Sequence, residues 1–363
     1  MATSKKGLLL AALILCVACG QRPTFQAVPS ALFLTPANTE LASPGRTSES
    51  ASPSQTVLPS EIKLNATGEV PDPTTVTPQN TPRPSLAPDA WTSLPIVPSV
   101  SPRVKEIYQH GLELGNNPKA FSKVGDCGST PAWFLGDFDR GPRYYNLGAY
   151  QYLEAVIQEF QGSFARTSLA AKSGFNASSV FAPLWSDRKQ CESNETPLGC
   201  EYRLHRPAFA FITLGTNDAW HLDTFEPQMR RIIEFSIQNG VIPILSTKAD
   251  NEEGDGSINA TIARLANEYD IPLWNYWLAM QPLPDHGLQE DAAHITWGPN
   301  LFNDPQAMEK GWPVRNLTAL QVLDVVWRAA NNMSHTKFNL GVTPAIKTPT
   351  PNPSPVSGEG KRT

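Results

Sequence analysis

The 363-residue chain is poor in charge: Asp, Glu, Lys and Arg make up 17% of it, and the formal net charge is −5. No stretch gathers Lys and Arg into a dense stripe, which argues against an electrostatic nucleic-acid binder. Long apolar runs are missing too: the longest near the start, Gly7 to Leu15, is too short to span a bilayer. Cysteine is sparse, at five residues, and no internal repeat is evident. Proline is what the chain has in excess. Fourteen of its 34 prolines fall between residues 21 and 100, so the surplus marks a tether and not a core. The apolar share, 40%, is enough for one large domain or two small ones.

The first twenty residues read as an export signal. Lys5 and Lys6 give a positive start, an apolar stretch follows, and Cys16-Val17-Ala18-Cys19-Gly20 closes it. This closing run resembles the lipobox of bacterial lipoproteins. The resemblance places Cys19 at the lipidated position, with residues 1–19 as a lipoprotein signal peptide. Cys16 departs from the leucine usual three residues upstream of that cysteine. An ordinary secretory signal cut near Ala18, or an uncleaved anchor, is the alternative. On each reading the protein is exported, and on the first it is held to a membrane by lipid.

Export places the remaining cysteines, Cys127, Cys191 and Cys200, in an oxidising compartment, where an odd number needs an explanation. Cys191 and Cys200 bracket a short polar loop, so a local disulfide between them is the simplest pairing. That would leave Cys127 as a thiol. A bond from Cys127 to Cys191 or Cys200 is the competing arrangement.

Residues 20–97 are rich in Pro, Ser and Thr without helical or strand period, and are expected to be a disordered linker. The same composition returns in a Pro-rich tail over 336–363. Between them, residues 98–335 form the expected folded body. Arg103 to Leu114, Tyr150 to Phe160, Phe225 to Gln238, Ser257 to Tyr269 (capped by Ser257) and an amphipathic Leu317 to Ala330 carry helical spacing. Phe121 to Cys127, Ala208 to Leu214, Val241 to Ser246 and Ile271 to Tyr276 read as strands, and a further strand is expected from Thr167. Strands alternating with helices imply an α/β protein with a central parallel sheet between helical layers. Working residues in such sheets gather on loops at the carboxyl ends of strands.

Four such loops carry candidate chemistry: Gly125-Asp126-Cys127-Gly128-Ser129, Ser173-Gly174-Phe175-Asn176, Gly215-Thr216-Asn217-Asp218, and Gly287 to Thr296 with Asp291 and His294. Each alone is an ordinary turn or surface sequence. Their order and placement together resemble the four signature blocks of the SGNH (GDSL-like) hydrolases: Gly-Asp-Ser, an isolated Gly, Gly-x-Asn-Asp, and Asp-x-x-His. The resemblance covers roughly residues 100 to 332. It implies a flavodoxin-like three-layer sandwich and an esterase or deacylase that works by acyl transfer without a cofactor. Its substrate would be an ester or O-acylated glycan.

Acyl transfer needs a nucleophile, a base within hydrogen-bond reach and a group that orients the base. Carried over from the family, these are Cys127, His294 and Asp291. The oxyanion hole would be the backbone N–H groups of Cys127 and Gly174 and the side-chain amide of Asn217. The departure from the family pattern is the cysteine at 127, where the family has serine. Ser129, two residues on, is a possible substitute nucleophile. If Cys127 were tied up in a disulfide, the protein would instead be a non-catalytic lipoprotein binding a glycan or peptide in the same cleft. No metal is expected: Asp285 and His286 lie close to Asp291 and His294 in sequence, but their spacing fits no metal motif and reads as a polar loop. The acidic run Asp250 to Asp255 reads as a solvated loop. Trp133, Trp185, Trp220, Trp274 and Trp277 are candidates for either a sugar-binding cleft or the core.

Overall fold

The computed structural model describes residues 85–333. The signal segment with Cys19, the upstream part of the Pro-rich spacer and the C-terminal tail lie outside the described residues. Among the described residues, no helix is long and apolar enough to cross a membrane.

The helices are α1 (Arg103–Glu113), α2 (Glu154–Glu159), α3 (Pro197–His205), α4 (Leu222–Gln238), α5 (Ser257–Tyr269), α6 (Tyr276–Met280) and α7 (Gly311–Ala330). The strands are β1 (Asn117–Gly125), β2 (Tyr145–Asn146), β3 (Pro207–Thr213), β4 (Ile242–Ser246), β5 (Leu273–Trp274) and β6 (Asn300–Leu301). Four of them form an all-parallel sheet in the order β1-β3-β4-β5. On the outer side of β1 a single parallel bridge joins Gly125 to Ala171. Counting that bridge as a residual strand gives the 2-1-3-4-5 order of flavodoxin-like sheets.

This order fixes the layers. Parallel crossovers are right-handed, so the direction of travel along the sheet decides the face on which the connecting helix lies. The chain moves outward from β1 to residue 171 through α2. It then moves inward to β3, β4 and β5 through α3, α4 and α5. Hence α2 lies on one face and α3 to α5 on the other. Packing agrees: α1 and α2 pack on α7, and α4 packs on α5. The expected α/β sandwich around a parallel sheet is therefore present.

Strand β3 shows how sequence sets the thickness of each layer. Its residues are buried up to Ile212. Phe209 and Phe211 project to one face, where Phe209 meets Tyr108 of α1 and Phe160, and Phe211 meets Phe121, Phe134 and Trp274. The alternate residues Ala208 and Ala210 are small and let the opposite helical layer approach closely. Burial on both faces explains why the strand reads as a continuous apolar run.

Several boundaries differ from expectation. The strand expected from Thr167 is reduced to the one bridge at Ala171, because side chains replace the ladder along this edge. Lys123 Nζ donates to the Phe164 carbonyl, Arg166 donates to the Phe121 carbonyl and Ser122 Oγ, and buried Glu201 accepts from Leu169 N–H, Ser122 Oγ and Arg166. The strand expected over Ile271 to Tyr276 is only two residues long, since Asn275 caps α6 by accepting from Leu278 N–H. Helix α5 is preceded by Gly256 in the left-handed region, and Ser257 is its first residue and not its cap. Helix α7 begins at Gly311 and is buried on most of its surface, so it is a core helix and not an amphipathic one. The packed body also starts upstream of residue 98: Trp91 is buried, lies 4.8 Å from the Trp277 ring, and its carbonyl accepts from Asn275 Nδ2.

Candidate active site

Each of the four loops has a local physical reason for its shape. At the end of β1, a side chain on Gly125 would collide with Ser129 Oγ and Thr213 Oγ1, so only glycine fits. The next residue, Asp126, accepts from Gly128 N–H at 2.9 Å and so winds Cys127–Ser129 into a 3-10 turn with Cys127 first. Thr130 Oγ1 donates to the Cys127 carbonyl at 2.8 Å and closes that turn.

The second and third loops hold each other. Gly174 has φ +81° and Gly215 has φ +140°, conformations that glycine adopts without strain. Asn217 Nδ2 donates to the Phe175 carbonyl at 2.9 Å, and Asp218 accepts from Ala177 N–H, also at 2.9 Å. The two loops expected to supply oxyanion donors are thus lashed together by adjacent side chains. Burial pushes the Asp218 carboxyl up to about 6, against the opposing pull of the Ala177 N–H and the His221 charge.

In the fourth loop, an antiparallel bridge between Leu288 and Ile295 closes a tight turn, with Gln289 N–H donating to the His294 carbonyl. Asp291 Oδ1 accepts from the N–H groups of Ala293 and His294, while Oδ2 accepts from His294 Nδ1 at 2.6 Å. A carboxylate can only accept, so the Nδ1 proton lies on the histidine, and in the neutral ring the lone pair is on Nε2. Burial raises the Asp291 carboxyl, but these three donors outweigh it and hold the group below its usual range.

Cys127, Gly174, Asn217 and His294 line one cavity of about 630 Å³ at the carboxyl end of the sheet. Asp291 stands behind His294, outside the lining. Cys191 and Cys200 form a disulfide, and Cys127 remains a thiol. Ser129 is fully buried with its Oγ hydrogen-bonded to Thr213 Oγ1 and does not line the cavity, so it is not placed as a substitute nucleophile. Asp285 and His286 also lie off the cavity, with His286 Nδ1 on the Gln281 carbonyl. Among the described residues, the one cluster of potential metal ligands is Cys191, Glu195 and Cys200, and its two sulfurs are spent in the disulfide.

The cavity contains residues that the motifs did not announce. After β4, Lys248 is buried and paired with Asp250 at 2.6 Å and with Glu253, while Asp250 also accepts from Thr216 Oγ1 at 2.7 Å. This corrects the solvated-loop reading of Asp250 to Asp255: its first part is a buried ion cluster on the cavity wall. Glu252 lines the wall beside it, with its carboxyl raised by burial and then by the Asp250 charge. From the C-terminal elements come Tyr276, Trp312 and Arg315. Of the tryptophans singled out above, Trp220 lies on the cavity with 59% of its surface exposed, Trp274 is core, Trp277 packs on Trp91, and Trp133 stacks on Trp312. Trp185 is exposed away from the cavity. No local pattern marks these residues, because tertiary packing brings the loop after β4 and the two C-terminal helices to the cavity.

No family model and no curated protein matches the chain. Among solved structures it is similar to a protein of Desulfitobacterium hafniense DCB-2 assigned to the lipolytic G-D-S-L family. The two share 16% identity, the match covers 56% of this chain and 99% of that one, and the TM-score is 0.31.

Proposed function

We propose that this protein is an SGNH-type hydrolase that cleaves ester or O-acyl groups with Cys127 as nucleophile. The observation that carries the reading is convergence. Four loops, at the ends of separate segments, bring Cys127, Gly174, Asn217 and His294 to one cavity, with Asp291 hydrogen-bonded to the far side of the histidine ring.

In this mechanism His294 Nε2 takes the proton from Cys127 Sγ as sulfur attacks the ester carbonyl carbon. Asp291 holds the ring and stabilises its charge. The N–H groups of Cys127 and Gly174, with the second amide hydrogen of Asn217, receive the oxyanion. Collapse forms a thioester and expels the alcohol, which takes the proton from His294. Water, deprotonated by His294, then cleaves the thioester and releases the acid and the thiol. The exposed indole of Trp220, in a cavity also lined by the carboxylates of Asp250 and Glu252, favours a glycan as the carrier of the acyl group.

Purified protein should hydrolyse p-nitrophenyl acetate, and both His294→Ala and Cys127→Ala should abolish turnover. Hydrolysis that persists in Cys127→Ala sinks the assigned nucleophile. A second reading is a binding protein that has kept the fold and lost the reaction, and the cysteine in the serine position favours it. Absence of turnover combined with retention on O-acetylated polysaccharide would select that reading. Export and lipidation belong to the same proposal: Cys19→Ser should move the protein from the membrane fraction to the soluble one.

A further inference from the structure

A serine nucleophile in such a site needs only a base, whereas a cysteine gains most when its sulfur is already charged. The ordinary ionisation of a thiol lies within about two units of neutral pH, so a nearby cation can shift its population. Arg315 of α7 is in a position to act in this way. Its Nη1 donates to the carbonyl of Gly128, the residue after Cys127, at 2.6 Å. Its guanidinium lies over the Phe134 ring at 4.5 Å and near those of Trp312 and Tyr276, so it is packed in place. It lines the cavity with Cys127, and among the described residues no carboxylate forms an ion pair with it. Nε of the same side chain is buried without a hydrogen-bond partner.

Other charged groups also line this part of the cavity. From its own loop comes Asp126, whose carboxylate caps the turn. From the fourth loop comes His294, backed by Asp291. On the wall after β4, Lys248 is neutralised by Asp250 and Glu253, and Glu252 stands beside them. Burial lowers the hold of Arg315 on its own proton, while Tyr276, Asp126 and Cys127 raise it. A buried guanidinium that lacks a carboxylate contact stabilises whatever negative charge forms beside it.

We infer that Arg315 is a positioning residue that stabilises the thiolate formed when Cys127 gives its proton to His294. The inference rests on Cys127 being the reacting group, but its test does not require turnover. Iodoacetamide labels a thiolate by forming an Sγ–C bond as iodide leaves, and the modified peptide can be mapped to Cys127 by mass spectrometry in the full chain. The rate against pH should rise at lower pH in the native protein than in the same chain unfolded in urea. Arg315→Gln keeps a donor for the Gly128 carbonyl and removes only the charge. It should slow labelling about tenfold at pH 6, a shift of about one pH unit in the curve, and leave the alkaline plateau unchanged. Arg315→Lys should restore the native curve. Superimposable curves for native and unfolded chains, or for the native protein and Arg315→Gln, would overturn the inference. Absence of p-nitrophenyl acetate hydrolysis with the shifted curve intact would instead count against the hydrolase reading alone.

Discussion

Asn217 illustrates how one side chain can hold two loops and still, in the proposed hydrolase, serve the reaction. One of its amide hydrogens goes to the Phe175 carbonyl, and the other is available to an oxyanion. Asn217→Ala should therefore lower kcat by about a hundredfold to a thousandfold with a smaller effect on KM, read from p-nitrophenyl ester kinetics. Its neighbour Asp218 makes a separable prediction about stability. Its carboxyl ionises near 6 in the fold against 3.8 ordinarily, so the folded protein holds more protons than the unfolded chain between those values. Stability should accordingly fall as pH rises from about 4 to about 6, with a slope of at most about 1.4 kcal/mol per pH unit. Asp218→Asn should flatten that part of a denaturant-midpoint profile while still accepting the Ala177 N–H. Residues of this kind differ in how far the sequence reveals them. Cys127, Gly174, Asn217, Asp291 and His294 are legible because glycines and short polar spacings mark their turns. Arg315 is not, because its partner, Gly128, lies 187 positions away and no local pattern connects the two.

Among the elements, the apolar strands β3 and β4 and the long helices α1, α4 and α5 are legible because hydrophobic period and burial coincide in them. The edge beside β1 is not, since its cohesion comes from a polar network and not from backbone pairing. Glu201 is the hub of that network, fully buried and bonded to Arg166, Ser122 and the Leu169 N–H. Removing it leaves the partly buried Arg166 guanidinium uncompensated. Glu201→Ala should cost about 3–5 kcal/mol in chemical denaturation, whereas most surface substitutions change stability by less than about 0.5 kcal/mol. The loss should also loosen residues 163–171, visible as faster amide exchange there than in β4. Helix α7 was legible only in part. Its first turn, with Trp312 and Arg315, precedes the apolar spacing that marks the rest, and it is the turn that reaches the cavity.

For the molecule as a whole, composition places the end of the Pro-rich region too far along the chain. The reason is that Trp91 and the Leu94 and Ile96 carbonyls dock on Asn275, a contact between segments some 180 residues apart that composition cannot express. A chain beginning at residue 98 would leave the Asn275 side-chain amide without its acceptors, at about 1–3 kcal/mol for such a buried group, and would strip Trp91 from the Trp277 ring. Thermal melting of chains beginning at 85 and at 98 should show the longer one to be the more stable.

The parts of the cavity are also spread along the chain, with Cys127 on the first strand's loop and His294 and Arg315 near the end of the described fold. A chain that enters a new compartment N-terminus first presents its cysteine long before the histidine and arginine arrive. Under the proposed export, Cys127 would during that interval be open to a disulfide with Cys191 or Cys200. Quick closure of the loop between Cys191 and Cys200, only nine positions apart, removes both competitors early. The short disulfide would, under the proposed export, keep Cys191 and Cys200 from pairing with Cys127 until the rest of the site has folded.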